Sequence, residues 1–238
     1  MNTAIIPARA GSQRIPRKNI RMFHGRPMVA WSIKAALESG CFDQVLVSTD
    51  DDDIAAIARE YGAHTPFVRP PELCSHHSTT GAVMTHAVQW LRQQGHDLQA
   101  ACCLYATAPF VRAQDIQSAK QLFQSQRLDY VFTATSYSFP IQRAFQLDTN
   151  GRVQMYQPEH LLTRSQDLPE AFHDAGQFYW GSAAAWLQQK PVFSVHAVPL
   201  LLPKYRVQDI DTEDDWKRAE LMFSALHETV FSNEGGSL

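Results

Sequence analysis

Arg9, Arg14, Arg17, Lys18 and Arg21 place five cations within thirteen residues of a chain whose net charge is −3. The apolar run Thr3-Ala-Ile-Ile-Pro7 just before them reads as a short buried strand. A strand end opening into a basic turn with Gly11 and Ser12 is how α/β proteins hold polyphosphates. Backbone N–H groups cradle the oxygens there and the side chains neutralise them. The loop matches neither the Gly-x-x-x-x-Gly-Lys-Ser/Thr pattern nor Gly-x-Gly-x-x-Gly, since Gly11 stands alone. The expectation is a nucleoside triphosphate held without either glycine code. The competing reading is a solvated turn paired with acidic neighbours.

A second candidate is Asp209-Ile-Asp211-Thr212. Read as a short strand, alternation puts Asp209 and Asp211 on one face, just ahead of a helix N-terminus. Two carboxylates so placed repel one another unless a cation sits between them. Hard oxygen ligands at that spacing suit Mg²⁺, which keeps several waters and bridges to substrate phosphates. The alternative is that Asp211 or Thr212 only caps the final helix. A third group joins Arg164-Ser-Gln-Asp167 to Glu170-Ala-Phe-His-Asp-Ala-Gly176-Gln-Phe-Tyr179, with Arg143 upstream. A guanidinium fork binds both oxygens of a carboxylate, so Arg164 and Arg143 suit an acidic substrate. Ordinary surface arginines are the alternative. His76, His77 and the remaining histidines show no metal-ligand spacing and read as surface or capping residues.

Strand and helix patterns alternate around these groups. Val29, Ile33, Ala36 and Leu37 recur at helical spacing, with Gly40 as a stop. Gln44–Ser48 reads as a strand and Asp51–Tyr61 as a helix ended by Gly62; a proline-rich loop then leads to a helix carrying Met84, Val88 and Leu91. Ala100–Tyr105 and Tyr130–Thr135 read as strands flanking a helix with Ile116, Ala119 and Phe123. This order predicts a mainly parallel sheet with helices on both faces and ligands at the carboxyl ends of its strands. Phe139–His173 has no clean period and reads as a β-rich or irregular insertion, followed by returning strands at Gln177–Trp180 and Ser194–Pro199. Thr212-Glu-Asp-Asp215 is a capping signature for a last helix striped by Trp216, Ala219, Phe223 and Leu226. The expected organisation is one domain over residues 1–230, an insertion at 139–173 within it, and a disordered tail at 231–238.

Composition narrows the class. A chain of 238 residues, 45% hydrophobic and 19% charged, can bury one substantial α/β core. Its near-neutral balance argues against nucleic acid as main partner. No apolar run is long enough for a membrane span, and the N-terminus has no signal h-region. Cys41, Cys74, Cys102 and Cys103 read as buried free thiols of a cytoplasmic protein, with Cys102 and Cys103 on opposite strand faces.

Ile6-Pro-Ala-Arg-Ala-Gly-Ser12, Ile15-Pro-Arg-Lys-Asn19, Val47-Ser-Thr-Asp50, Arg69-Pro70, Ala106-Thr-Ala-Pro109 and Asp209-Ile-Asp-Thr212 resemble, in order, the motifs of the acylneuraminate cytidylyltransferases, also called CMP-sialic acid synthetases. The resemblance runs from Thr3 to about Leu226. It implies a Rossmann-like nucleotidyltransferase fold with a small dimerisation insertion. It also implies a reaction of CTP with a nine-carbon 2-keto sugar acid, giving the CMP-sugar and pyrophosphate. Tyr105-Ala-Thr-Ala-Pro109, Phe139-Pro-Ile-Gln-Arg143 and His173-Asp-Ala-Gly-Gln-Phe-Tyr-Trp180 look most like the branch acting on pseudaminic acid. Gln13 stands where Lys is common in the family. Tyr105 replaces a frequent Gln, and His173-Asp-Ala-Gly176 replaces an Arg-x-Asn-Gly pattern; both departures fall on the sugar side. N-acetylneuraminic and legionaminic acids are alternative substrates. A catalytically inactive nucleotide-binding module is the alternative from another class.

By the same resemblance Arg9, Lys18 and Asp211 are the expected catalytic residues. Arg9, Gly11, Ser12, Lys18, Asn19, Arg69, Ser78 and Thr79 are expected to bind the nucleotide, and Tyr105, Arg143, Arg164, Gln177 and Tyr179 to line the sugar side. Asp209 and Asp211 match the Mg²⁺ ligands. The implied partners are CTP, the sugar acid and a second copy of the chain in a homodimer.

Overall fold

Strands rich in Val, Ile, Leu, Ala and Cys, buried on both faces, build the centre of the molecule, as covered parallel strands do. The computed structural model describes residues 1–75 and 77–234, with side chains through Leu226. His76 and residues 235–238 of the expected tail lie outside the described residues. The strands are β1 (Asn2–Pro7), β2 (Met22–Phe23), β3 (Arg26–Pro27), β4 (Gln44–Ser48), β5 (Ala100–Leu104), β6 (Tyr130–Ser136), β7 (Phe145–Leu147), β8 (Val153–Met155), β9 (Phe172–Ser182) and β10 (Ala197–Leu201). Six of them form the main sheet in the order β10-β6-β9-β5-β1-β4. Every neighbouring pair is parallel except those made by β9, which runs antiparallel to β5 and β6. The small pairs β2–β3 and β7–β8 stand apart.

The helices are α1 (Met28–Glu38), α2 (Asp52–Glu60), α3 (Thr80–Gln93), α4 (Ala113–Ser125), α5 (Ala183–Leu187) and α6 (Glu213–Glu234). Alternation along the strands sends Ile6, Val47, Cys102 and Trp180 to one face, where they pack with Val29 and Ile33 of α1, Ile54 of α2 and Ile116 of α4. Ile5, Leu46, Cys103 and Tyr179 go to the other, against Met84, Val88 and Leu91 of α3 and Trp186 of α5. Cys102 and Cys103 thus sit on opposite faces as free thiols; Cys74 is only half-buried. The α6 stripe Trp216, Ala219 and Phe223 joins Ile15, Phe23 and Ile210 in a third cluster. No helix among the described residues is long and apolar enough to cross a membrane.

Three strand expectations and the bounds of the tail are corrected. The returning strand starts at Phe172 instead of Gln177, and it bulges: Asp174 to Tyr179 spans the same length of β6 as Ala134 to Phe132. Gly176, at φ 62°, takes the left-handed turn inside that bulge. The last strand is Ala197–Leu201, three places later than read, and tolerates Pro199 because it lies at the sheet edge. Residues 207–211 form no strand, yet Ile210 is fully buried between exposed Asp209 and half-buried Asp211, so the two carboxylates still share a side. The expected tail at 231–238 begins inside α6, which continues through Glu234. The insertion carries the β7–β8 hairpin and short 3-10 turns, and it leaves Phe139, Phe145, Leu147, Val153, Tyr156 and Leu162 exposed.

Candidate active site

The basic loop is pinned at both ends before it curves. Ala8 N–H donates to the Ser48 carbonyl and Ala10 N–H to the Asp50 carboxylate, both at the end of β4. Ile15 is fully buried beside Ile210 and Trp216. Asn19, almost buried, donates from its amide to the Arg9 carbonyl at 2.9 Å. The five cations divide into two sets. Arg17, itself at φ 52°, pairs with Asp53 at 2.7 Å, and Arg21 pairs with Glu213 at 2.6 Å while lying over the Trp216 ring. These two anchor the loop to α2 and α6, so the solvated-turn reading holds for them. Arg9, Arg14 and Lys18 instead line a cleft of about 500 Å³ at the carboxyl ends of β1 and β5. Arg9 makes no ion pair with the described residues.

Ser12, Asn19, Arg69, Ser78 and Tyr105 complete the expected lining of this cleft. Arg69 is 3% exposed, and its guanidinium donates to the Ser48 hydroxyl at 3.1 Å and to the Ser48 carbonyl. Burial lowers its pKa; Cys74 and Asp50 oppose that shift and Arg9 adds to it. Those two bonds fix the fork while leaving further N–H donors for a ligand's acceptors. Ser78 donates to the Glu72 carbonyl at 3.0 Å, which folds the loop ahead of α3 over the cleft. Thr79 caps α3 through Ala82 N–H and lines a neighbouring hollow instead. Gly11 sits exposed at the loop apex, outside the lining, with open space where a side chain would stand.

Asp211 faces the same cleft. Its Oδ2 lies 2.8 Å from Arg14 and its Oδ1 3.2 Å from Lys18, whose Nζ also donates to the Ile210 carbonyl at 2.6 Å. Thr212 and Asp215, not Asp211, make the reciprocal cap of α6. Asp209 is exposed by area, but partial desolvation of its carboxyl and the nearby Asp211 charge raise its pKa, with Lys18 opposing. Among the described residues no cluster of three His, Cys, Asp or Glu side chains is built to hold a metal. Asp211 opens onto the basic cleft and Asp209 onto the hollow beside it; two such neighbouring carboxylates suit Mg²⁺ that keeps its waters and takes ligand oxygens.

Beyond Tyr105 lie two further hollows. One, of about 510 Å³, is bounded by Tyr105, His173, Asp174, Gly176, Tyr179 and Asp209. The other, of about 330 Å³, lies between Thr80, Asp174, Tyr179, Trp186, Lys190 and Phe193. Tyr105 borders all three cavities. Desolvation raises the pKa of both Tyr105 and Tyr179. Gln177 is not in these linings: it is buried, and its amide donates to the Arg206 carbonyl at 2.6 Å while its oxygen meets no protein donor. Arg143 and Arg164 stay in the insertion, Arg143 on the Thr163 carbonyl and Arg164 on Asp167 at 2.7 Å, so this chain does not bring them to its own cavities.

Sequence reasoning missed two participants. Arg14 reads from the sequence only as one cation of the loop, yet it stands beside Asp211; its place in the motif Arg14-Ile-Pro-Arg-Lys18 is the available signal. Asp174 lay inside a recognised departure, His173-Asp-Ala-Gly176, yet drew no role.

A family model described as Cytidylyltransferase matches residues 3–227. A Campylobacter jejuni protein named pseudaminic acid cytidylyltransferase is 43% identical over 230 residues, covering 97% of this chain and 99% of that one. A Legionella pneumophila CMP-N,N'-diacetyllegionaminic acid synthase is 28% identical over 231 residues, covering 95% and 98%. Among solved structures, a CMP:2-keto-3-deoxy-manno-octonic acid synthetase complexed with CTP aligns with a TM-score of 0.67 over 94% of this chain and 98% of that one, at 16% identity. That last likeness concerns the fold, which is Rossmann-like.

Proposed function

Because the chain belongs to the cytidylyltransferase family, we propose that it transfers CMP from CTP to the anomeric 2-hydroxyl of pseudaminic acid, giving CMP-pseudaminic acid and pyrophosphate. The observation that carries this reading is 43% identity, over nearly the full length of both chains, to a relative of that name, against 28% for the legionaminic counterpart. Tyr105 and the His173-Asp-Ala-Gly176 segment support the same acid, since both border the hollows beyond the nucleotide cleft.

In-line attack by the sugar hydroxyl on the α-phosphorus forms one P–O bond and breaks that to pyrophosphate, and the hydroxyl proton is released. Such a transfer asks for positioning and charge stabilisation more than covalent help. Arg9 and Lys18 offset the charge gathering on the α-phosphate and the leaving group. Arg69, with its guanidinium plane fixed by Ser48, offers donors to the cytosine acceptors, and Asn19 and Ser78 bear on the nucleotide through the loops they hold. Asp209 and Asp211 are the residues that would hold Mg²⁺. When bound, that ion acts as a Lewis acid and template for the phosphate oxygens.

The insertion over 139–173 serves as the dimerisation lobe. Its exposed Phe139, Phe145, Leu147, Val153 and Leu162 supply the apolar surface that a second copy covers. Arg143 and Arg164 lie away from this chain's own hollows and would meet a substrate's carboxylate where the lobe crosses to a neighbour's hollow, a site completed by the partner copy. N-acetylneuraminic and legionaminic acids are the rival substrates.

Pyrophosphate release with CTP and Mg²⁺, run in parallel on pseudaminic, legionaminic and N-acetylneuraminic acids, tests the reading. Turnover with pseudaminic acid well above the others is expected. Preference for another acid replaces the substrate, and silence with all three removes the enzyme assignment.

A further inference from the structure

The segment that carries Asp209 and Asp211 has no regular structure of its own, so its shape is imposed from outside. Its entrance is fixed where the Gln177 amide donates to the Arg206 carbonyl at 2.6 Å. Further on, buried Ile210 holds the chain to the core, and Lys18 Nζ donates to the Ile210 carbonyl at 2.6 Å. Neither anchor reaches the turn at Gln208 and Asp209. Asp215 of α6 gathers that turn from the other side. Its Oδ2 accepts from the Thr212 N–H at 2.9 Å, the Thr212 hydroxyl at 2.8 Å and the Asp211 N–H at 3.3 Å. Its Oδ1 accepts from the Gln208 side-chain amide at 3.3 Å, and the same Gln208 nitrogen donates to the Asp209 carbonyl at 2.7 Å.

A helix cap needs only part of this. The Asp215 N–H donates to the Thr212 hydroxyl at 3.2 Å and completes the reciprocal cap of α6. The Asp211 N–H and the Gln208 amide lie ahead of the cap residue, outside the helix, and satisfy none of its first-turn groups. They draw the chain around Asp209 and Asp211 toward one carboxylate instead. With Ile210 turned into the core, the side chains of Asp209 and Asp211 are left on the outer side of the loop so formed. Resting on the cytidylyltransferase reading above, with Asp209 and Asp211 as its metal ligands, we infer that Gln208 and Asp215 are positioning residues for the reaction: together they set the loop 208–212, and with it the spacing at which the two carboxylates meet a divalent cation. Losing a group that orients metal ligands typically changes metal affinity or activity by about 10- to 100-fold. A carboxylate suits position 215 because it only accepts. Asparagine there keeps an oxygen for Thr212 but turns amide donors toward the Gln208 amide. Gln208 escapes that clash only by flipping, which sets its own oxygen against the Asp209 carbonyl.

Three variants of the full-length enzyme separate positioning from capping: Gln208→Leu, Asp215→Asn and Thr212→Ala. Binding of Mn²⁺·CTP is followed by electron paramagnetic resonance with the sugar acid left out. Gln208 also borders the 510 Å³ hollow, and leaving out the acid keeps any direct contact with it from the measurement. Gln208→Leu is expected to weaken Mn²⁺·CTP binding about tenfold or more and to lower kcat in step, with the melting temperature near that of the wild type. Thr212→Ala is expected to do the reverse. Its melting temperature falls by about 2–4 °C, as for a lost cap, while Mn²⁺·CTP affinity and kcat stay within about twofold. Asp215→Asn is expected to show both losses; if it does not fold, the other two variants decide. An affinity loss that follows the melting temperature across the variants is structural in origin and overturns the inference. Unchanged affinity in folded Gln208→Leu, with only the KM for the acid raised, overturns it as well. Asp211→Asn is the reference: if it too leaves Mn²⁺·CTP binding untouched, the carboxylate pair is not the metal site and the inference falls with that reading. If Asp211→Asn weakens binding and Gln208→Leu does not, the inference falls alone.

Discussion

Lys18 and Asp211 meet although 193 positions separate them: Lys18 Nζ lies 3.2 Å from Asp211 Oδ1 and 2.6 Å from the carbonyl of the preceding residue. The contact ties the loop after β1 to the segment before α6, closing one side of the cleft. Arg14 takes the other carboxylate oxygen.

Asp211→Asn keeps the size of the side chain and an oxygen for Lys18 but removes the charge. Turnover measured by pyrophosphate release is expected to fall by about 10²-fold or more, the scale of losing a principal electrostatic contact in the transition state. The thermal melting point should move little, because Asp211 is half-buried and Ile210, not Asp211, anchors the segment in the core. Retained turnover would remove Asp211 from the reaction.

Arg206 and Asp115 form a bidentate pair at 2.6 and 3.0 Å, with side-chain exposures of 8% and 12%. The Arg206 carbonyl in turn receives the Gln177 amide, so the pair braces the floor behind the acceptor hollows. Removing one partner strands the other's charge in a poorly solvated place. Asp115→Asn is expected to cost about 3–5 kcal/mol in urea unfolding at neutral pH. A loss below about 1 kcal/mol would mean that water screens the pair as it does at a surface.

Asp215 supplies a pH signature. The Thr212 hydroxyl, followed by the Thr212 and Asp211 N–H groups, lowers its pKa below the ordinary value of 3.8, against a smaller opposing effect of desolvation. A carboxyl depressed in the folded state stabilises above its unfolded pKa, and that contribution is lost as pH falls through the folded value. Asp215→Asn should therefore cost about 1 kcal/mol near neutrality, as for a lost helix cap. Denaturant unfolding in steps from neutral pH down through pH 4 should show wild type and variant converging only in the most acidic range. A gap that stays constant to that limit would assign the cap to shape instead of charge.

The parallel strands and their helices were legible because each is a compact apolar run bounded by Gly or a capping residue, as at Gly40, Gly62 and Asp51. The basic loop was legible for the same local reason. What was not legible depends on pairing between distant segments. Phe172–Gly176 has the His, Asp and Gly of a turn, and only the ladders with β6 hold its start in the sheet. Gln177 is expected on the sugar side from the family resemblance alone; within the bulged stretch of β9 it is buried and bonds to the Arg206 carbonyl. Arg17 and Arg21 look like Arg9 and Lys18 in sequence, and their acidic partners on α2 and α6 set them apart. The short α5, capped by Ser182, is too brief to show a period.

β9 is the one reversed strand of the main sheet, and its direction divides the gene as well as the fold. A parallel strand would deliver its beginning to the far end of the sheet; reversed, β9 starts at the ligand rim and carries the insertion with it. The loops lining the basic cleft are encoded before position 110 and the carboxylate pair after position 205, while the tract between Tyr137 and Tyr179 contributes His173, Asp174, Gly176 and Tyr179 to the hollows beyond it. Drift or recombination confined to that tract can change which acid is activated and leave the chemistry of CTP untouched.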